Sequence, residues 1–165
     1  MEAHMLDSTL QPLDGTLNDA VLTVTRQLVP IFYVDDATAP STYRQLCRHM
    51  DAGHVLVVAD EGSDHTIFGD PSVNHAFRAW HDYTHWRYGY DFSVQGEMHN
   101  CNAQIEHLLH FYGPTEDVFR WAEFLVAEVI GQRLYYKKYG EYIADQRAFV
   151  QAYIEDADEA LAHKW

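Results

Sequence analysis

The stretch Asp70–Glu97, which reads DPSVNHAFRAWHDYTHWRYGYDFSVQGE, is the part of the chain that decides the fold. It opens with a helix start signal, because Asp70 is a good N-cap residue and Pro71 suits the first helical position. We predict a helix from this point to about Tyr88, where Gly89 ends it. The block therefore supplies one long helix near the middle of the sequence.

Two histidines in this helix are spaced to share a ligand. His81 and His85 lie four residues apart, so both imidazoles project from one face and can reach one point in space. Asp82 adds a carboxylate beside them. Imidazole and carboxylate groups are common metal ligands, so the sequence predicts a metal site on this helix.

The other segments are assigned from turn signals and apolar patterns. Residues 1–19 are predicted to form a loose lead-in, and residues 21–34 to form either two extended pieces or a short helix followed by a strand. Further elements are predicted as a helix at 41–50, a buried strand at 55–59, and helices at 93–113, 115–140 and 141–163, the last with an alternative start at Asp145.

These elements define the expected fold class and organisation. We predict a mainly α protein, a helical bundle-like domain with a short extended or β N-terminal portion. The length fits a single domain over residues 1–165, whose helical metal-site core spans residues 70–163.

Charge and composition limit the classes of function. The chain has 25 Asp and Glu against 11 Lys and Arg, a net charge of −14. An acidic surface repels phosphate backbones, so direct nucleic-acid binding is not expected. Cys47 and Cys101 lack metal or redox spacing and favour a reducing compartment. Because no secretory leader and no bilayer-spanning apolar run are recognised, we expect a cytoplasmic protein without membrane association.

Polar residues interrupt the apolar faces of three predicted helices. The two histidines lie among aromatic residues, Glu97 shares the apolar stripe of the next helix, and Glu128 and Gln132 share that of the third. An uncompensated buried carboxylate is strongly unfavourable, so we expect these groups to meet around a metal ion. The predicted ligands are His81, Asp82, His85, Glu97 and Glu128, and Gln132 is predicted to contact a ligand rather than the metal itself.

Each of these residues also has a purely structural interpretation. The two histidines can be core side chains that bond to the backbone or to tyrosine, and Asp82 can be an exposed partner of Arg78. Glu97 lies in the first turn of its helix, where the helix dipole favours a carboxylate without any metal. Glu128 can pair with a buried arginine or tyrosine.

A motif in the central block is shared with a known superfamily: His81-Asp82-x-x-His85, Gly89 and Gly96-Glu97. It resembles the core motif of the HD-superfamily phosphohydrolases, most closely their deoxynucleotide triphosphohydrolase branch. The resemblance implies a helical fold, one or two divalent metals and phosphoester hydrolysis. It also implies that His81 and Asp82 are the HD pair, that His85 is a catalytic histidine, and that Glu97 is the carboxylate of the Gly-Glu pair.

The superfamily pattern includes two more ligands, for which the sequence offers alternatives. His49 or His54 can supply the upstream histidine, and Asp117 or Asp145 the closing aspartate. The Asp70–Glu97 block also resembles small uncharacterised proteins of tailed phages, which implies an origin but no activity.

The predicted function is divalent-metal-dependent hydrolysis of a nucleotide or another small phosphate ester. Zn, Mn, Fe and Ni all accept imidazole and carboxylate ligands, and bound water becomes a nucleophile near neutral pH. His85 and Glu97 are the candidates for proton transfer. The acidic surface favours a small-molecule partner over a polymer, and a homo-oligomer stays open.

Two other functions stay open on the sequence alone. Inward carboxylates and histidines also suit a di-metal redox centre of the oxidase or oxygenase kind, although no helix carries the usual Glu-x-x-His pair. A non-enzymatic acidic interaction protein with structural histidines is the third alternative, and metal content separates it from the other two.

Overall fold

The long central helix is present, and the other elements lie around it in a computed structural model that describes residues 10–165. The helices are α1 (Gly15–Leu28), α2 (Tyr43–Asp51), α3 (Pro71–Tyr88), α4 (Val94–Tyr112), α5 (Glu116–Leu125), α6 (Gln132–Tyr139), α7 (Gln146–Glu155) and α8 (Ala157–Ala162). A π-helical segment, Val126–Gly131, joins α5 to α6. Strands β1 (Tyr33–Val34) and β2 (Val57–Val58) form one short parallel pair. The mainly α fold class is thus confirmed.

Local signals explain where α3 and α4 begin and end. Asp70 caps α3 by accepting the Ser72 N–H at 2.8 Å, and Ser93 caps α4 by accepting the Gly96 N–H at 3.0 Å. Gly89 ends α3 in the left-handed conformation, with φ of 76°. The predicted bounds of both helices are confirmed to within one or two residues.

Two apolar clusters hold α3 from both sides. The larger lies between α1, α3, α4 and the C-terminal helices and contains the fully buried Trp80. The smaller lies under α2 and the strand pair and contains Ala79, also fully buried. Neighbouring residues of one helix therefore face two different packed regions, which fixes the rotation of α3 and the direction of its histidines. Among residues 10–165, no helix has the length and apolarity that a bilayer crossing requires.

The N-terminal prediction needs correction. A helix begins at Gly15, so the predicted lead-in over residues 1–19 is wrong from that residue onward; residues 1–9 of it lie outside the described part of the chain. Leu17, Val21 and Val24 are buried at helical spacing, and this burial outweighs the preference of β-branched residues for extended structure. Within residues 21–34, the alternative of a helix followed by a strand is the correct one.

The C-terminal half contains more breaks than predicted. The helix expected at 115–140 is interrupted by the π-helical segment, and the one expected at 141–163 is two short helices. Asp145 caps α7, which was the alternative start, and Asp156 caps α8. The strand expected at 55–59 is limited to two residues.

Asp14 joins the first helix to the fifth. Its carboxylate caps α1 by accepting the N–H groups of Thr16 and Leu17, and it pairs with Arg120 Nε at 2.6 Å. Burial raises the pKa of Asp14, but hydrogen bonds from Thr16 and Arg120 outweigh burial and leave that pKa below its ordinary value.

We expect Asp14→Ala to lower the free energy of unfolding by about 1–2 kcal/mol, chiefly through the lost helix cap, because an exposed ion pair adds little. Urea denaturation at pH 7 measures this, with the exposed Asp19→Ala in the same helix as control. Because folding lowers the pKa of Asp14, its contribution to stability is fully present above the unfolded pKa of about 3.9. That contribution is lost as the pH falls through the folded-state pKa of Asp14. Equal effects from both variants would contradict the prediction.

Candidate metal centre

Three potential ligand atoms converge between α3 and α4. His81 Nε2 lies 3.1 Å from His85 Nε2, and Glu97 Oε2 lies 3.2 Å and 3.0 Å from these two nitrogens. The histidines are one turn apart on α3, and Glu97 projects from the first turn of α4. Among the described residues these three side chains form a group that could hold a metal ion.

The three ligand atoms, His81 Nε2, His85 Nε2 and Glu97 Oε2, form a triangle whose size fits a bound cation. Bonds of about 2.0–2.2 Å to nitrogen and oxygen place neighbouring ligands about 2.9–3.4 Å apart in octahedral or tetrahedral geometry. All three observed edges fall in that range. One ion above the triangle can therefore contact all three atoms without rearrangement of the helices.

The hydrogen bond at His85 Nδ1, on the side of the ring away from the other two ligand atoms, determines the protonation of Nε2, the nitrogen that faces them. Its Nδ1 lies 2.7 Å from the Tyr90 carbonyl oxygen, which only accepts, so Nδ1–H is the donor. In the neutral ring Nε2 then carries a lone pair and faces another acceptor, the Glu97 carboxylate. A proton on His81 Nε2 can be donated to Glu97 Oε2 or to His85 Nε2, whereas a shared cation would engage all three atoms at once.

The electrostatics of the group point the same way. Burial lowers the pKa of His81, but the charge of Glu97 and its hydrogen bond outweigh burial and raise that pKa well above its ordinary value. Burial raises the pKa of Glu97, but the charge of His81 and its hydrogen bond hold that pKa far below its usual range. Without a metal, the group therefore attracts a proton, which shows its preference for positive charge.

A glycine turn positions the His85 ring. Gly89 takes the left-handed conformation that ends α3, and the His85 carbonyl accepts both the Gly89 and Tyr90 N–H groups. This turn brings the Tyr90 carbonyl back to the His85 imidazole. The His85 side chain is 0% exposed, against 19% for His81 and 13% for Glu97. The ligand group is therefore shielded from solvent on the side of His85.

Gly96 has a packing role that explains the Gly-Glu pair. A Cβ atom at this position would lie far inside van der Waals contact of the Asp91 carbonyl oxygen. Only glycine lets the chain before α4 pass this close to the helix. The segment that passes Gly96 follows Tyr90 and leads into Glu97. Gly96 therefore helps to place both the Tyr90 carbonyl against His85 and the Glu97 carboxylate against the histidines.

The group borders a cavity of about 230 Å³. His81 and Glu97 reach its wall, together with Glu128 and Gln132 from the next part of the bundle. A bound ion would therefore keep a coordination position directed at open space, as catalytic sites do and closed structural sites do not. Burial raises the pKa of Glu128 to about 7.

The predicted ligands are thus divided by the structure. His81, His85 and Glu97 come together, and Glu128 lines the adjoining cavity. Asp82 is outside the group and lines a second cavity of about 480 Å³, because one residue along a helix turns the side chain by about 100°. Ligation by Asp82 or Glu128 stays a prediction.

The four alternative ligands have other contacts. His49 Nε2 bonds to the Val55 carbonyl at 2.7 Å, and His54 packs its ring against His49. Asp117 pairs with Arg120, and Asp145 caps a helix. Within residues 10–165, none of the four belongs to the three-residue group.

Sequence reasoning missed two amides behind His81. Gln104 Oε1 lies 3.1 Å from His81 Nδ1, and Asn100 Nδ2 lies 3.1 Å from the same nitrogen; both amides are fully buried. Their positions, three and seven residues after Glu97, place them on the same helix stripe. Helix spacing therefore carried the signal, but neutral amides are not distinguished from ordinary core polar groups by sequence alone.

No protein-family model, curated protein or solved structure matches this chain. The resemblance to HD-superfamily phosphohydrolases and to tailed-phage proteins therefore stays a prediction, and the site is interpreted from its own geometry.

We expect Gly96→Ala to lower the free energy of unfolding by about 1–3 kcal/mol, because the added methyl group must displace the Asp91 backbone. Gly15→Ala is the matched control: it also lies in the first turn of a helix, but its Cβ meets nothing closer than 3.9 Å, so it should stay within about 0.5 kcal/mol of the parent. Thermal or urea denaturation measures both. Similar values for the two variants would contradict the packing role of Gly96.

We expect the purified protein to carry near-stoichiometric divalent metal. We expect His81→Ala to bind it more than about 100-fold more weakly, because loss of a side chain that only hydrogen-bonds to a metal ligand already lowers metal affinity about 10–100-fold. Elemental analysis and metal titration measure this, with circular dichroism to verify the helices. His99→Ala on the exposed face of α4 is the control and should retain metal. Equal metal content in both variants would rule out the assignment.

Proposed function

We propose that this protein is a divalent-metal-dependent hydrolase acting on a nucleotide or another small phosphate ester. One observation carries the proposal: two histidine nitrogens and a carboxylate oxygen converge within 3.2 Å beside a cavity. Two histidines, one glutamate and an open position are the donor set of hydrolytic zinc sites.

The roles of the residues follow from their contacts. His81, His85 and Glu97 would hold the ion, and a water molecule bound to it would have a pKa lowered to about 7. His85 and Glu97, predicted from the sequence to transfer protons, serve better as ligands because their acceptor atoms already face the triangle. Glu128 is better suited to proton transfer, since its pKa of about 7 lets it accept or donate near neutral pH.

The cavity favours a small reacting group. Pockets that enclose a drug-sized ligand usually measure about 300–1,000 Å³, and this one measures about 230 Å³. It therefore accommodates the phosphate end of a nucleotide rather than the whole molecule. The net charge of −14 disfavours a long polyanion, whereas the metal complex of a nucleotide carries less charge.

A second candidate function deserves a test because the same triangle supports it. Two histidines and one carboxylate on one face are also the ligands of mononuclear non-haem iron oxygenases. A di-metal centre is less favoured, since residues 10–165 contain one group of three such ligands. A purely structural role for the histidines requires a protonated imidazole to pair with Glu97, and metal content separates that alternative from the other two.

Metal-loaded protein separates these functions. We expect Zn, Mn or Ni forms to hydrolyse p-nitrophenyl phosphate or members of a nucleotide panel, with activity lost in EDTA and in His81→Ala but kept in His99→Ala. An iron form that consumes oxygen without hydrolysis would favour the oxygenase. Full metal loading without turnover of any phosphate ester would overturn the hydrolase proposal, and absence of metal binding would leave the interaction protein.

A further inference from the structure

One wall of the cavity holds several buried polar atoms without partners. Glu128 Oε2, Gln132 Nε2 and Arg133 Nε are each enclosed and form no hydrogen bond within residues 10–165. All three residues line the cavity that His81 and Glu97 also reach. Buried polar groups in folded proteins nearly always have partners, so three such atoms on one wall indicate a missing ligand.

The backbone of this wall is held in an unusual conformation. Glu128 lies in the π-helical segment, and Gln132 and Arg133 open α6 directly after it. Short π-helical turns inside helices recur at functional sites. Gly131 between them packs so closely on Tyr153 that an added Cβ would lie 3.0 Å from the ring. The wall is therefore fixed from behind, and its side chains are directed towards the cavity.

Arg133 brings a positive charge to this wall. Arg133 forms no ion pair with a carboxylate in the described part of the chain, although acidic residues exceed basic ones by 14. Its guanidinium carbon lies 5.7 Å from the centre of the Tyr136 ring, a cation–π contact that leaves its N–H groups free for another partner. Arginine favours planar, multiple contacts with phosphate and carboxylate oxygens.

We propose that Gln132 and Arg133 form the binding site for the anionic phosphate group of the substrate, on the cavity wall beside the metal ligands. This inference rests on the proposed hydrolase function and assigns residues to its substrate. Gln132 supplies an amide N–H and Arg133 supplies a charged N–H donor, and a phosphate oxygen would give each a hydrogen-bond partner.

Glu128 is the one carboxylate on this wall that could oppose an anion. Its Oε2 is enclosed without a hydrogen-bond partner, and such burial disfavours the charged form of a carboxylate and so weakens its repulsion of an anion. Glu97 also reaches the cavity, but its charge is offset by the histidines and by a bound ion. Arg133 then supplies the attraction for an oxyanion on this side of the cavity.

The cavity volume also limits how the substrate binds. With about 230 Å³, the phosphate group fills the cavity and the organic part of the ester extends past its rim. Tyr142, which is 85% exposed, borders both this cavity and the larger one lined by Asp82. Phosphate itself is therefore a sufficient probe of the site.

Calorimetric titration of metal-loaded protein with inorganic phosphate tests the assignment. We expect Arg133→Gln to weaken phosphate binding about tenfold or more, and Gln132→Glu to weaken it further by placing a carboxylate against the anion. Arg87→Gln removes the same charge from an exposed helix position and should change the affinity less than about twofold. Circular dichroism verifies the fold, and elemental analysis verifies that each variant retains its metal.

The outcomes distinguish this inference from the hydrolase proposal. Unchanged phosphate affinity in folded, metal-loaded Arg133→Gln and Gln132→Glu would overturn the phosphate site while leaving the metal centre intact. If no metal binds, the hydrolase proposal fails, and the same titration of metal-free protein decides the inference alone. Loss of phosphate binding in Arg133→Gln but not in Arg87→Gln would then support it, and no binding to the parent protein would overturn it.

Discussion

The hydrogen bond from His85 Nδ1 to the Tyr90 carbonyl is the interaction on which the candidate site depends. It selects the imidazole nitrogen that faces His81 and Glu97, and it holds a fully enclosed ring in one orientation. A side chain on a free helix surface could rotate away from its neighbours. Here the turn at Gly89 and the loop that passes Gly96 hold donor and acceptor together, so the geometry of the ligands is set by backbone.

Much of the fold could be predicted because its helix signals are local. Asp70, Ser93 and Thr115 each cap a helix at the predicted start, and Gly89 and Gly113 end the first two of these helices. The start of the first helix was missed, and the rest of it was predicted only as one of two alternatives. Its β-branched residues have weak helical preference, and its burial against α3 depends on tertiary contacts that local patterns do not contain. The π-helical segment likewise has no recognised local signature.

The candidate site was partly predictable for a similar reason. Spacing alone places His81 and His85 on one face, and helix phase directs Glu97 inward. The sequence could not tell that Asp82 would face another cavity, because that depends on how α3 is rotated between two cores. Nor could it show the Tyr90 carbonyl, since every residue has one, or the role of Arg133, whose lack of an ion-pair partner is visible only in three dimensions.

The complete enclosure of His85 has a consequence for how a metal enters. The ligand group is closed on the His85 side, and its accessible edge is the cavity reached by His81 and Glu97. An ion bound here exchanges only through that cavity, against three fixed ligands. The metal that such a site takes up would then depend on which ions reach that cavity as the chain folds, in addition to the intrinsic preference of the ligands.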